Sequence, residues 1–258
     1  MDIAQLSNQI ILMFILMAVG LLTNKLGFML FQTATYLTNI LLYIVSPCLI
    51  VNAFEQRFST SRLQALAIVM LGILLTYAVM VVTTNLVFKR VADANLQRIM
   101  RFGSVYSNAG FMGVPLASAL FDSTGVFFAV ASLAGFNLFC WTHGIALFTP
   151  KRPGDHHINW RQILLNPNIV AIVVGLAIFV SGVHLPSLLN QTITYVSSIN
   201  TPLSMIVIGN SLAAVKLNRR TLGQRLLWPL LLRNLLFPII NILILKAFGV
   251  SGIPLYTT

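Results

Sequence analysis

A chain of 258 residues that is 57% hydrophobic and 8% charged, with a mean hydropathy of +0.88, has too little polar surface for a water-soluble domain. Its apolar runs match the ~20 residues needed to cross hydrocarbon, so the expected class is an all-α polytopic membrane protein. The net charge of +11 does not point to nucleic acid, because Lys and Arg sit in short loops between apolar runs, where they act as topology signals.

Eight spans follow in chain order. The first, about Leu6 to Leu26, carries Asp2 where a cleaved signal would be basic and is too long for one, so it is expected to stay as a helix. The second, about Tyr36 to Phe54, contains Ser46-Pro47, and the third runs from about Leu66 to Phe88. The fourth and fifth cover about Ile99 to Leu120 and Val126 to Phe148, followed by a loop at 149–165. The sixth, about Pro167 to Leu185, opens on Asn166-Pro167-Asn168. The seventh, about Ile193 to Leu212, contains Thr201-Pro202, and the eighth is about Leu226 to Phe248.

Charge fixes the orientation. With the N-terminus outside, the cytoplasmic loops hold Lys25, the group from Lys89 to Arg101, Lys151, Arg152, Arg161 and the group from Lys216 to Arg225, twelve basic residues in all. The outer side holds three, Arg57, Arg62 and Lys246. Trp160 and Trp228 fall at cytoplasmic helix starts, where interfacial aromatics belong. Arg233 lies inside the eighth span, either snorkelling to the interface or drawing an anion inward.

The fourth span is the most informative. Tyr106-Ser107-Asn108-Ala109-Gly110-Phe111-Met112-Gly113-Val114-Pro115 puts an amide, two glycines and a proline inside an apolar run. Pro115 removes a backbone donor and strikes the carbonyl four residues back, so the helix is expected to break between Asn108 and Pro115. Freed backbone groups survive in a membrane only where protein or water satisfies them, and such breaks build substrate sites in many carriers. Ser104, Tyr106, Ser107 and Asn108 offer donors to an anion, with unwound amides beyond Pro115 adding more. The alternative is a kinked, glycine-packed structural helix in which Gly110 and Gly113 serve only close packing. Pro47 and Pro202 either flank the site or bend scaffold helices, and Asn52 and Asn210 either face the cavity or make interhelical hydrogen bonds.

The chain repeats itself at an offset of 155 residues: Gly20 falls on Gly175, Gly27 on Gly182, and Ser46-Pro47 on Thr201-Pro202. This aligns the first span with the sixth and the second with the seventh, a five-helix unit whose second copy must be inverted because five is odd. Residues 1–148 would be the first repeat, 149–165 a cytoplasmic loop and 166–258 an incomplete second repeat holding three helices. Ile253-Pro254-Leu255-Tyr256 would begin a ninth.

The string Asn108 to Pro115, with Ser46-Pro47, Asn166-Pro167-Asn168 and Thr201-Pro202, resembles the auxin efflux carrier family of membrane transporters. The resemblance implies a ten-helix inverted repeat whose fourth and ninth helices break at prolines and cross. It also implies secondary transport of small organic anions, auxin-like acids or dicarboxylates such as malonate and malate. The short loop resembles bacterial members, which implies a multi-pass protein of the cell inner membrane. Helices nine and ten of that pattern are missing here, which leaves a non-transporting interaction or regulatory protein, or an inactive truncated carrier, as the alternative reading.

Other chemistry is thinly represented. His143 and His184 are isolated, His156-His157 lies in the loop, and Cys48 and Cys140 read as small buried thiols, so no metal and no other cofactor is expected. No GxSxG, HExxH or phosphate loop occurs, and an enzyme is not expected. The expected partners are an organic anion and the lipid bilayer, with a homodimer left open. Ion coupling is also left open, since none of the five acidic residues lies at the centre of a span.

The orientation predicts which thiols an impermeant reagent reaches on intact cells. In a background without native cysteines, Ala4→Cys should be labelled and Gly154→Cys should not. The reverse pattern would mean that the N-terminus is inside.

Overall fold

The computed structural model describes residues 3–149, 165–214 and 227–258. Among these it is helical throughout, with no strand, as an all-α polytopic membrane protein should be. The helices are α1 (Ile3–Lys25), α2 (Phe31–Ile40), α3 (Ser46–Phe54), α4 (Thr60–Val87), α5 (Ala94–Val105), α6 (Val114–Phe139) and α7 (Ile145–Phe148). They continue as α8 (Pro167–Ser181), α9 (Ser187–Ser198), α10 (Asn200–Ala214), α11 (Leu227–Leu231), α12 (Phe237–Ala247) and α13 (Ile253–Tyr256). The expectations for Trp160, His156-His157 and most of the loop at 149–165, and for the basic group from Lys216 to Arg225, lie outside the described residues.

Among the described residues, five stretches are long and apolar enough to cross a bilayer: Ala4–Lys25, Gln32–Phe54, Thr60–Val87, Ala94–Phe148 and Leu227–Ala247. The eight expected spans map onto these and three shorter helices. Ala94–Phe148 contains the fourth and fifth, because α6 turns back at Asp122 (φ 52°, ψ −147°). The return is tight enough that a Cβ on Gly125 would meet the Ala117 carbonyl and the Phe121 Cβ. The sixth span is α8, apolar but shorter, and the seventh is divided into α9 and α10 beside Ile199.

Three of the helix joints share one device. π-helical turns at Leu41–Val45, Ala109–Gly113 and Leu232–Leu236 each end two residues before a proline, Pro47, Pro115 and Pro238. Each closes with a bond from an amide to the carbonyl five residues back: Ser46 to Leu41, Val114 to Ala109, Phe237 to Leu232. Widening the turn before the ring relieves its clash with the carbonyl four residues earlier, so the proline starts the next helix instead of ending the chain of helices.

Without a hydrophobic force between helices in lipid, close backbone approach decides which helices pair. The first span lies on α10, where Gly20 and Gly209 leave no room for a side chain: a Cβ on Gly20 would strike the Ile206 carbonyl, and one on Gly209 the Met17 carbonyl. The sixth span lies on α3, where a Cβ on Gly175 would meet the Phe54 ring. Phe54, Phe127 and Phe179 then join the second, fifth and sixth spans, with ring centroids 5.4 and 5.1 Å apart. The helix α4 packs on α5, α6 and α12, and α5 on α11, while α6 also packs on α1, α3 and α8.

The crossing of α1 and α10 gives a stability prediction. Gly20→Ala should destabilise the protein by about 1–3 kcal/mol, the cost of overpacking against backbone that cannot yield. Gly103→Ala, in open space, should be neutral or gain up to about 1 kcal/mol from helix propensity. Thermal unfolding in detergent distinguishes the two, and equal midpoints would mean the crossing is loose.

Candidate functional site

The break in the fourth span is built from local bonds. The carboxylate of Asp93 starts α5, accepting from the Asn95 and Leu96 amides at 2.8 and 3.1 Å. The helix runs to Val105 and then opens, with Tyr106 extended and Asn108 at φ −80°, ψ 69°. Asn108 Oδ1 accepts from the Phe111 amide at 3.1 Å, capping the π turn that follows. An asparagine side chain competing with the helix for a backbone amide is the physical origin of the interruption.

The helix was expected to be lost somewhere from Asn108 to Pro115, with unwound amides beyond the proline. The span is discontinuous there, but the opening starts two residues earlier, from Tyr106 to Asn108, the π turn Ala109–Gly113 follows, and the α-helix resumes at Val114, so no unwound amides follow directly on Pro115. Pro115 occupies the first turn of α6, where no amide donor is needed. The carbonyl that it frees, Phe111 O, lies 3.4 Å from Ser204 Oγ on α10.

Tyr106 anchors the opened segment. Its hydroxyl donates to the Phe139 carbonyl at 2.9 Å and lies 2.8 Å from His143 Nδ1, while its ring stacks on Tyr77 and tilts against Phe102. His143, isolated in the sequence, is therefore held by the first residue of the break.

Beside the break is a cavity of about 670 Å³, walled by α4, by both halves of the broken span and by α12. Ser107, Asn108 and Gly113 line it with Thr76, Arg233 and Asn241. Lys246 is also on its wall, and no acidic side chain is. Arg233 Nη1 lies 3.5 Å from the Gly103 carbonyl, so the in-span charge reaches back to the last turns of α5. Thr76 Oγ1 is 3.0 Å from Asn241 Oδ1, a polar link between α4 and α12. Asn108, with Oδ1 used in the cap, presents Nδ2 as its remaining donor.

The other expected site residues are dispersed. Asn52 and Pro115 line a separate pocket of about 360 Å³ with Ser118, Asn200 and Thr201, facing α3, α9 and α10. Asn52 also bonds to Ser197 at 3.4 Å and accepts from Thr194 at 3.3 Å. Gly110 faces Leu133, 3.3 Å from where a Cβ would be. Pro47 lines an apolar cleft between α3 and α8, and Pro202 is on an exposed face of α10. Asn210 makes interhelical bonds: its Nδ2 donates to the Met29 carbonyl at 2.9 Å and its Oδ1 accepts from Asn24 Nδ2 at 3.1 Å.

A family model described as membrane transport protein matches residues 5–257. The chain belongs to this family. It is the family of the auxin efflux carriers, and the chain is thus a multi-pass membrane transport protein. No curated protein matches it.

Several polar groups of this transporter were not singled out from its sequence. Thr76, Ser132 and Asn241 line the cavity beside the break, and Asn200, 2% exposed, leaves both amide atoms without a partner among the described residues. Asn241 had a legible signal, following Pro238 by three residues in an apolar run; Thr76 and Ser132 had none, because small hydroxyls are common in spans.

Because Asn108, not Pro115, interrupts the helix, Pro115→Ala should leave the opening in place. In a background without native cysteines, Ser107→Cys should react with a small thiol reagent at about the same rate with either residue at position 115. A loss of reactivity of tenfold or more, about 1.4 kcal/mol in the opening equilibrium, would return the break to the proline.

Proposed function

We propose that the chain is a secondary carrier of small organic anions, dicarboxylates such as malonate and malate or auxin-like acids, with a substrate carboxylate held at the break by Asn108 Nδ2. The observation that carries this reading is the cavity beside Asn108, which gathers Arg233 and Lys246 and no acidic side chain among its lining residues. Arg233, half-buried within its span, attracts an anion more strongly than a cation in water does, and the hydroxyls of Ser107 and Ser132 and the Asn241 amide supply neutral donors that add no competing charge.

Alternating access would follow from motion of the bundle of third, fourth, fifth and eighth spans against the others. The packing of α4 on α5, α6 and α12, and of α5 on α11, supports that division, with α6 also contacting the helices on the other side. An inverted repeat is supported by an exchange of roles: the first span packs on the seventh through Gly20, and the sixth on the second through Gly175. Gly27 and Gly182, also 155 residues apart, both follow a helix at positive φ, 78° and 65°. The reading places the protein in the cell inner membrane, N-terminus outside.

Two substitutions separate binding from capping. Asn108→Ala removes donor and cap together and should weaken anion binding by roughly 1.5–3 kcal/mol, the range for hydrogen bonds to charged groups. Asn108→Asp keeps a good cap but turns a negative charge on the anion, so binding should fall further while stability is retained. Binding of malonate, malate and indole-3-acetate to the purified chain and both variants is the measurement. Unchanged affinity in Asn108→Asp for a ligand that the unaltered chain binds would move the site elsewhere.

A further inference from the structure

The chain reverses between the fourth and fifth spans on a residue ill suited to the turn. Asp122 stands at φ 52°, ψ −147°, a region open chiefly to glycine, and among the described residues no other side chain is carried at positive φ. Such a backbone persists only where its surroundings hold it.

Two glutamines from outside the fourth and fifth spans grip this reversal. The last carbonyls of a helical limb find no amide in their own helix, and Gln5 Nε2, on α1, donates to the Ala119 carbonyl at 2.9 Å. Gln56 Nε2 donates to the Ser123 carbonyl at 2.7 Å and to the Ala53 carbonyl, in the last turn of α3, at 3.2 Å. Its Oε1 accepts from Arg62 Nη1 at 2.7 Å, in the first turn of α4, which fixes the way the amide faces. One side chain thus joins α3, the start of α4 and the start of the fifth span.

Beneath this joint lies the cavity of about 360 Å³ between the first limb of α6 and the helices α3, α9 and α10. Ala53 and Ser123, whose carbonyls Gln56 binds, are both on its wall. So is Asn200, with neither amide atom partnered among the described residues. A buried amide in that condition carries a desolvation cost that access to water removes. Strain at Asp122 and the unpaired Asn200 amide therefore both weigh against the closed joint, and the bonds of Gln56 weigh for it.

We propose that Gln56 is a latch: its bond to Ser123 holds the reversal closed over this cavity, and its release lets the fourth and fifth spans part from α3 at this end. The latch rests on the carrier reading only for the division of the helices into two groups, and it assigns no ligand to the cavity.

Access of water to the cavity tests the latch with no ligand and no transport assay, so a failure of anion binding at Asn108 leaves the result intact. In a chain without native cysteines, held in lipid nanodiscs, Ser197→Cys puts a thiol on the cavity wall at a position only 5% exposed. Gln56→Ala should speed its reaction with a water-soluble methanethiosulfonate by about tenfold or more. Gln56→Glu should do the same, since a carboxylate keeps Arg62 but cannot donate to the Ser123 carbonyl, and it serves where Gln56→Ala does not fold. Asp122→Gly, which relieves the closed form of its strain, should slow the reaction by about fivefold or more. Ser104→Cys, at a position 1% exposed on the wall of the cavity beside the break, should react at one rate in all four backgrounds. Unchanged rates at Ser197→Cys in the Gln56 variants, an equal rise at Ser104→Cys, or no slowing with Asp122→Gly would overturn the proposal.

Discussion

Every backbone amide and carbonyl inside hydrocarbon has to find a partner within the protein, at a cost of several kcal/mol for each that does not, and a proline withdraws one donor from the ladder that it enters. The chain meets this constraint in the same way at Pro47, Pro115 and Pro238, widening the preceding turn so that the ladder resumes with a five-residue bond. At Pro115 the freed Phe111 carbonyl also approaches Ser204, whose side chain is fully buried on α10. The break therefore ties the fourth span to the seventh while Tyr106 ties it to the fifth. A segment held at both ends by hydrogen bonds can expose Ser107 and Asn108 without unravelling the helices on either side.

Glycine contacts extend the same economy to packing. Gly20 and Gly209 interlock across one crossing, each occupying the space that the other helix's backbone requires. Gly175 makes the corresponding approach to Phe54, whose ring continues into Phe127 and Phe179. The two crossings are related by exchange of the first with the sixth span and the second with the seventh, the relation that the proposed inverted repeat requires. The glycines at 20 and 175 thus have a shared structural reason, close approach, that their spacing alone did not supply.

How much was legible from sequence depends on the kind of force. The all-helical membrane class followed from composition, since no other backbone arrangement of such a chain satisfies itself in lipid except a closed barrel. The interruption of the fourth span was legible too, and Asn108 falls in it, though it begins two residues earlier, at Tyr106. Glycine and proline were taken as the agents, whereas the asparagine cap does the interrupting and Pro115 begins the next helix. Asn52 and Asn210 carried two readings that no local pattern separates, because a side-chain amide bonding across helices and one facing a cavity look alike until the partner, 145 or 181 residues away, is placed. The Tyr106–His143 contact was hidden for the same reason: it is a long-range meeting of residues that are unremarkable in their own spans.

The cavity beside the break carries its two cations at different heights. Arg233 sits half-buried in the π turn before Phe237, and Lys246 is exposed near the end of α12, about 20 Å further along by helical rise. A charge inside a span is costly in hydrocarbon unless it finds a polar partner or reaches the interface, and Arg233 finds one in the Gly103 carbonyl, 3.5 Å away in the last turns of α5. The same contact ties the eighth span to the first half of the broken one, next to the segment that exposes Ser107 and Asn108.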